Sequence, residues 1–358
     1  MRVRVISGRE LSTDLMATWS ALTDSAPALA SPYFQPEFTA AVAAVRDDVY
    51  VSVIEDGGRP VGFLPFQRRR FGVGKPVGGA LSDFHGLIAR PDLDLPATEL
   101  LRGCGLATWD FTHLPADQAL FAPYHAAQDE SHSMDLSGGF EAYAERLRER
   151  GSHVLKEVRQ KRRKIERECG TLRFVAHTAD VGVLRQLLAW KSSQYQRSGL
   201  VDVFHFAWTQ TLLERIHATQ TPGLSGMLSA LYINDELAAA HMGMRSRCVW
   251  NWWFPRHDER FARYSPGIVL RICAAEAAAE HGVTRIDLGM GGENTYKPRL
   301  RTDGIPVAQG RVELASLVVA ARRLRRSGEA WVRRSPLAPL ARVPGRLFTR
   351  LERWRRFR

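Results

Sequence analysis

The stretch whose residue types most clearly suggest a functional site begins at the strand-like run CVWNWWF. After a charged loop it reaches Arg263-Tyr264-Ser265-Pro266-Gly267. Pro266 suits a first helical turn, Ser265 suits an N-cap, and Gly267 allows close approach to the backbone. A helix start with free N–H groups beside arginines attracts anions, and a cofactor diphosphate is the natural anion for a strand–loop–helix. The alternative is a simple helix cap.

A helix predicted upstream carries polar residues on its inner edge. Trp190 and Gln194 share one face of it, and Lys191 and Tyr195 share the next. Lys191 and Tyr195 would suit an oxygen-rich substrate, and Asp202 in the following loop would pair with Lys191. The alternative is a lysine whose stem covers a core tryptophan.

Histidines, a carboxylate and aromatic rings extend the candidate set. Asp83 and His85 share a face if the chain is extended there, which makes them a proton-transfer pair or, alternatively, a turn aspartate and a surface histidine. His241 in AAAHMGM is either a core residue or faces the site. Trp252 shares a face with Trp250, as part of the core or as a platform for a sugar or base.

Two similar sets of α/β elements must position these residues. In the first set, DVYVSVI and PVGFLPF form a hairpin around Asp56-Gly57-Gly58. A polar helix from Phe140 to Cys169, ended by Gly170, joins the sets. The second set is predicted to hold strands over 227–233, 237–245, 248–254 and 284–288, and helices over 181–196, 208–217 and 266–281.

The joining helix is strongly basic over KEVRQKRRKIER. Arg159, Arg162, Arg163 and Arg167 can line one of its faces. This face is either solvated or lines a cleft, where it would attract an anionic donor or acceptor.

Most of the excess charge lies at the C-terminal end of the chain. The sequence has 50 Lys and Arg against 38 Asp and Glu, a formal charge of +12. Residues 313–358 carry thirteen arginines and three acids, a net +10, so residues 1–312 are close to neutral at +2. Apolar and aromatic residues alternate with arginine in this tail. The pattern is typical of an interfacial helix on anionic lipid, with a solvated tail or RNA binding as alternatives.

The remaining composition suggests a cytoplasmic enzyme. Four widely spaced cysteines indicate reduced thiols, with neither a zinc site nor a redox pair. The first residues lack an apolar signal region, and no run reaches the ~18 apolar residues of a membrane span. We therefore predict a cytoplasmic location, with contact to the inner face of the membrane through the tail.

Three ordered motifs carry a family resemblance. "AWKSSQYQRSGLVDVF", "RYSPGIVL" and "RIDLGMGGENTYK" resemble the CelD-like (BcsL) acetyltransferases of cellulose biosynthesis, in the Gcn-five-related N-acetyltransferase (GNAT) superfamily. The chain is also similar to the FemAB aminoacyltransferases, which carry two such folds in tandem. The resemblance is strongest over 150–300 and extends upstream through "SPYFQPEF" and "GGALSDFHGLI". It implies an α/β mixed-sheet fold with two tandem GNAT-like domains.

The resemblance also implies roles for individual residues. Tyr264, Ser265, Pro266 and Gly267, with Arg263, stand where the superfamily holds the coenzyme A diphosphate. The usual Q/R-x-x-G-x-G/A loop is replaced here by a single glycine after a proline. FemAB-like proteins use aminoacyl-tRNA on a similar frame, which leaves two donors to distinguish.

Acyl transfer needs a base, an oxyanion stabiliser and a proton for the leaving group. The shared motif implies that Lys297 supplies positive charge, Tyr296 a phenolic donor, and Asp287 a base or an orienting carboxylate. Alternatively, Asp287 bonds loop amides at the strand end, and Lys297 is solvated or ion-paired.

We therefore predict an N- or O-acyltransferase that uses acetyl-CoA or another acyl-CoA, with no metal. Its acceptor would be a sugar-like or other small envelope or exopolysaccharide precursor. Nucleic acid is expected as a partner only if aminoacyl-tRNA is the donor. The alternatives are a FemAB-like transferase and a non-catalytic, membrane-associated part of a polysaccharide machine. The predicted divisions are a GNAT-like half over 1–139, the basic helix over 140–170, the GNAT acyltransferase domain over 171–316 and the tail over 317–358.

Overall fold

One mixed β-sheet runs through the computed structural model, which describes residues 1–291 and 296–315. Its strands follow the spatial order β1-β2-β3-β4-β6-β13-β7-β12-β11-β10-β9-β8, and β5 pairs with β3. The strands are β1 Arg2–Ser7, β2 Val49–Asp56, β3 Arg59–Arg69, β4 Val73–Lys75, β5 Ile88–Ala89, β6 Thr108–Pro115, β7 His125–Asp135, β8 Leu172–Val175, β9 Ser225–Ile233, β10 Glu236–Arg245, β11 Val249–His257, β12 Arg285–Gly289 and β13 Asp303–Glu313. The predicted mixed α/β fold is confirmed.

Helices cover both faces of this sheet because each face presents buried apolar side chains. One core includes residues of α1, α2, α6 and α7, and the opposite face holds two cores built on α3 and on α4, α5 and α8. The described helices are α1 Thr13–Ser25, α2 Pro36–Ala43, α3 Ala97–Gly103, α4 Gly139–Glu149, α5 Val154–Glu168, α6 Val181–Arg197, α7 Ala207–Ala218, α8 Pro266–Glu280 and α9 Lys297–Leu300. The result is a three-layer α/β/α arrangement.

The two halves of the chain exchange strands. β7, from the first half, pairs with β12 and β13 of the second half, and β13 also pairs with β6. The sheet is therefore continuous across the two halves. The predicted division at 139 and 171 stays a prediction.

The predicted single helix from Phe140 to Cys169 is wrong. The structure has two helices, α4 and α5, separated by Gly151 with φ +70°. A left-handed residue cannot continue an α-helix, so the chain turns there. Gly170, with φ +106°, does end α5 as predicted, and its N–H bonds the carbonyl of Ile165.

Two predictions concern contact with a membrane, and the described residues bear on only one of them. The tail over 317–358 lies outside them. Among the helices of residues 1–291 and 296–315, none is long and apolar enough to cross a membrane.

Candidate active site

The sheet opens between two parallel strands in the second half. β11 and β12 pair over only three positions, from Val249 with Arg285 to Asn251 with Asp287, although β11 continues to His257. Beyond Asn251 and Asp287 the carboxyl ends of the two strands separate. Openings at the carboxyl ends of parallel strands are the usual ligand positions of α/β sheets.

A β-bulge at the start of this opening redirects the aromatic side chains. The register between β10 and β11 shifts so that β11 has one extra residue between Asn251 and Phe254. Trp252 therefore packs in the core beneath α8, whereas Phe254 packs in the core beneath α6. Without the bulge, alternation would place both rings on one face.

A cavity of about 480 Å³ lies in the opening. Its walls come from both cores and from both halves of the chain, so it passes through the sheet. The lining residues are Ala80, Leu81, Asp83, His113, Tyr195, Leu200, Val201, Val203, Trp252, Trp253, Phe254, Leu288, Gly289, Met290, Tyr296 and Lys297.

Asp83 and Lys297 flank one point of the cavity wall. Gly289 adopts φ +71°, and a Cβ at this position would lie 3.4 Å from Asp83 Oδ2 and 3.7 Å from Lys297 Nζ. Lys297 Nζ donates to the carbonyl oxygens of Gly289, at 3.1 Å, and Met290. The first half thus supplies a carboxylate and the second half an ammonium to the same place.

Burial moves the two pKa values toward each other. It raises the pKa of Asp83, although Lys297, Asn251 and Tyr33 act in the opposite direction. It lowers the pKa of Lys297, and the Arg271 charge adds to this effect while Asp83 opposes it. A carboxyl and an amine whose pKa values converge are suited to exchange protons within a site.

Tyr33 and Asn251 support Asp83, and sequence reasoning missed both. The Tyr33 hydroxyl donates to Asn251 Oδ1 at 3.2 Å, and both side chains are buried. Burial and the Asp83 charge raise the pKa of Tyr33 well above its usual value, so it remains a hydroxyl donor. Tyr33 lies in the "SPYFQPEF" motif, which carries part of the family resemblance, and Asn251 lies in CVWNWWF.

Asp287 lies behind the wall, fully buried. Its Oδ1 accepts hydrogen bonds from Ser131 Oγ at 2.8 Å and from the Gly289 N–H at 2.9 Å. Oδ2 has no hydrogen-bond partner among the described residues. Burial raises the pKa of Asp287. This geometry fixes the turn at Gly289, which was the alternative envisaged for a strand-end aspartate.

His113 is a further titratable group on the cavity wall, and the sequence analysis does not single it out. It comes from β6, and its Nδ1 lies 2.9 Å from Thr112 Oγ1. Burial lowers its pKa, with Asp287 opposing. Burial therefore favours the neutral form of the His113 imidazole.

Tyr296 and Trp252 line the cavity and are backed by a buried arginine. The Arg271 guanidinium lies 3.6 Å from the Tyr296 ring centroid and 5.3 Å from that of Trp252. Arg271 is only 4% exposed, and within the described chain no carboxylate pairs with it. On the other side, His241 stacks on Trp252 with ring centroids 3.6 Å apart.

Two predicted site histidines lie in the core instead. His241 is fully buried, and its Nε2 accepts from the Trp253 N–H at 3.1 Å. His85 Nε2 accepts from the N–H groups of Thr112 and His113, so the predicted pairing of His85 with Asp83 is wrong. Burial lowers the pKa of both histidines well below the usual value.

The predicted helical group on α6 is only partly brought to the site. Tyr195 lines the cavity, and Lys191 Nζ lies 5.0 Å from its ring centroid and donates to Gln194 Oε1. Burial lowers the pKa of Lys191 to about 8. The predicted pairing with Asp202 is wrong, because Asp202 caps the following turn and accepts from Ser192 Oγ. Trp190 packs against the core beneath α6.

The start of α8 has an open approach to its backbone. Ser265 occupies the N-cap position with φ +52°, but its side chain makes no capping hydrogen bond. A Cβ at Gly267 would meet only His257 Nδ1, at 3.6 Å. First-turn N–H groups without a side-chain cap, next to an unobstructed glycine, fit an anionic group such as a diphosphate.

The two residues before Ser265 anchor this turn. Tyr264 is buried, and its hydroxyl donates to Glu168 Oε2 of α5 at 3.3 Å. The exposed Arg263 places its guanidinium 4.6 Å from the Tyr264 ring centroid. Arg263, which also donates to the Tyr264 hydroxyl, lies at the surface beside the start of α8, whereas Tyr264 fixes α8 to α5.

A family comparison agrees with this architecture. Residues 152–298 match the family model of an acetyltransferase (GNAT) domain. This part of the chain is similar in sequence to a GNAT domain. The matched range includes β11, α8 and β12, and therefore the opening in the sheet. No curated protein sequence matches the chain.

Solved structures share the fold at low sequence identity. The C-terminal domain of a putative lysylphosphatidylglycerol synthetase from Agrobacterium fabrum aligns over 83% of this chain and 92% of its own, with 14% identity and a TM-score of 0.50. FemX aligns over 87% of this chain and 96% of its own, with 9% identity and a TM-score of 0.56. These likenesses extend across both halves. The similarity in fold therefore covers nearly the whole described chain.

Proposed function

We propose that the protein transfers an acyl group from an acyl-CoA thioester to an amine or hydroxyl held in the cavity. The observation that carries the proposal is the placement of Asp83 and Lys297 around Gly289, where β11 and β12 separate. An acidic and a basic group flanking one point provide the proton acceptor and the positive charge that acyl transfer requires.

The residues of the chain divide the reaction between them. Asp83 accepts the proton of the attacking amine or hydroxyl, and Lys297 stabilises the negative charge that develops on the carbonyl oxygen. Tyr296 then donates a proton to the departing sulfur. Asp287, which accepts from the Gly289 N–H, orients this turn. We thus assign the base role to Asp83 and the orienting role to Asp287.

The start of α8 is the proposed donor site. Its uncapped N–H groups, the open face of Gly267 and the exposed Arg263 would hold the diphosphate. The thioester supplies an activated carbonyl, and acetyl is the acyl group predicted from the sequence. A sugar-like acceptor stays a prediction from the resemblance.

A second candidate is aminoacyl transfer from charged tRNA. It is favoured by one face of α5, where Lys156, Arg159, Arg163 and Arg167 are all exposed. Such a stripe suits a phosphate backbone. Equilibrium binding separates the candidates. The absence of coenzyme A binding at millimolar concentration, with binding of aminoacyl-tRNA, would replace the first candidate by the second.

Thiol release from acetyl-CoA by the full chain tests the first candidate. With a panel of amine and hydroxyl acceptors, including glucosamine, we expect Asp83→Asn to lower kcat by roughly 10²–10⁴-fold, the usual contribution of a general base. Asp117→Asn, at an exposed turn, is the matched control and should leave the rate unchanged. If Asp83→Asn retains the full rate, the assignment of the base is wrong.

A further inference from the structure

The wall of the cavity beneath α6 is apolar. Leu81, Val203 and Phe254 belong to the core on that face, and Val201 packs against it. Leu200 lines the same cavity yet is 44% exposed, one of the few described large hydrophobic side chains that face solvent to this extent. Apolar side chains that converge on a cavity are typical of sites that bind organic ligands.

The charged side chains of the cavity lining lie around Gly289, where acyl transfer is proposed. These are Asp83 and Lys297, and Lys297 already donates to two carbonyl oxygens. On the α6 side, Tyr195 lies with its ring 5.5 Å from Phe204 in a stacked arrangement. A sugar would bury several hydroxyl groups against this wall, and each unpaired hydroxyl costs free energy.

We infer that the acceptor carries its reactive amine or hydroxyl on an apolar body, a hydrocarbon or aromatic group that packs against Leu200, Val201, Val203 and Phe254. The inference rests on the proposed acyl transfer and narrows its acceptor. The reactive group would meet Asp83, and the apolar body would cover Leu200. The cavity of about 480 Å³ is in the range that accepts small organic ligands.

Calorimetric binding to the full chain tests the inference separately from catalysis. Hexylamine and glucosamine both present a primary amine, on an apolar and on a polar body. We expect hexylamine to bind at least roughly tenfold more tightly, since one methylene group in an apolar pocket is worth 10-fold or more. Equal or tighter binding of glucosamine would overturn the inference.

Two serine variants locate the contact. Leu200→Ser should weaken hexylamine binding by roughly threefold to tenfold and leave glucosamine binding unchanged. Val181→Ser is the matched control, because Val181 is 41% exposed at the start of α6, outside the cavity lining. Equal hexylamine affinity in both variants would show that the wall is not the binding surface.

Catalysis supplies the independent readout for the proposed function. If hexylamine binds preferentially but no acceptor releases coenzyme A thiol from acetyl-CoA, the proposed acyl transfer fails and the apolar site stands. If thiol is released with a higher kcat/KM for glucosamine than for hexylamine, the acyl transfer stands and the acceptor inference fails.

Discussion

Burial acts on Asp83 and Lys297 in opposite directions. It disfavours the charged form of each, which raises the pKa of the carboxyl and lowers that of the amine. Their mutual attraction restores part of the charge. The pair therefore differs from a surface salt bridge, where both groups stay ionised over a wide pH range. This difference has a direct kinetic consequence.

We expect a bell-shaped pH profile for kcat/KM that is narrower than free side chains would give. Activity requires ionised Asp83, so it falls as the pH drops through the raised pKa of Asp83. It also requires protonated Lys297, so it falls as the pH rises through the lowered pKa of Lys297. In the residual activity, Asp83→Asn should remove the acidic limb and Lys297→Met the alkaline limb. An acidic limb that persists in Asp83→Asn would assign it to another group.

The sequence predicted the cavity residues that lie in local motifs. Lys297, Tyr296 and Trp252 do line the cavity. His85 and His241 looked equally reactive as residue types, but both are locked by backbone N–H groups in the core. Periodicity does not reveal such contacts, because each joins a histidine ring to the backbone of another segment, which lies 28 residues away for His85 and 12 residues away for His241.

At the scale of elements, the turn after β12 brings the site together. The Gly289 N–H bonds Asp287 and its carbonyl accepts from Lys297, while its positive φ lets the chain turn. A side chain at this position would also meet Asp83. The backbone conformation and the space between Asp83 and Lys297 therefore both favour glycine at position 289.

Gly289→Ala should cost more activity than stability. The left-handed φ costs about 1–2 kcal/mol for an L-residue, and the added methyl enters the space between Asp83 and Lys297. Gly57→Ala is the matched control, since Gly57 also has positive φ, +57°, but its Cβ would meet nothing within 4 Å. We expect similar losses in unfolding free energy and at least a tenfold lower kcat for Gly289→Ala alone. Equal kcat values would separate the turn from the chemistry.

Helix α8 contributes a buried positive charge behind the aromatic wall. Arg271→Met removes the guanidinium that contacts Tyr296 and Trp252. Cation–π contacts of desolvated groups contribute about 2 kcal/mol, so we expect kcat/KM to fall by roughly thirtyfold. Because the Arg271 charge lowers the pKa of Lys297, the alkaline limb should also move to higher pH.

Arg271→Lys distinguishes the two effects. It keeps the charge and loses the planar group, so its alkaline limb should stay near that of the unmodified chain while kcat/KM still falls. Unfolding curves of both variants report whether the fold is intact. An unshifted alkaline limb in Arg271→Met would contradict the electrostatic role.

Strands with a clear hydrophobic period were predictable from the sequence. Strands that form only because they pair with distant segments were not. The β2–β3 hairpin and strands β9 to β11 follow apolar patterns with turn residues between them. β7 is polar and largely exposed over its first half, so it shows no alternation, yet it pairs with β12 and β13. The β11 bulge lies at the start of the opening in the sheet, and no local sequence pattern indicates it.

At the scale of the whole molecule, the last described strand joins the two halves. β13 lies between β6 and β7, and its Val307, Ala308 and Val312 are fully buried. The first half supplies Asp83 and the second supplies Lys297, so the relative position of the halves determines the geometry of the proposed catalytic pair. The arginine-rich residues follow β13 directly in the sequence and hold nearly all of the net charge.

Two truncations separate the contribution of β13 from that of the arginine-rich residues. Deletion of residues 316–358 leaves β13 in place, so we expect a soluble protein with unchanged kcat on a soluble acceptor. If these residues bind anionic lipid, cosedimentation with phosphatidylglycerol vesicles should be lost, since the remaining chain is close to neutral. Deletion of residues 303–358 also removes β13 and exposes the edges of β6 and β7, which should yield aggregated protein on size-exclusion chromatography. Vesicle binding that survives the shorter deletion would place the lipid contact within residues 1–315.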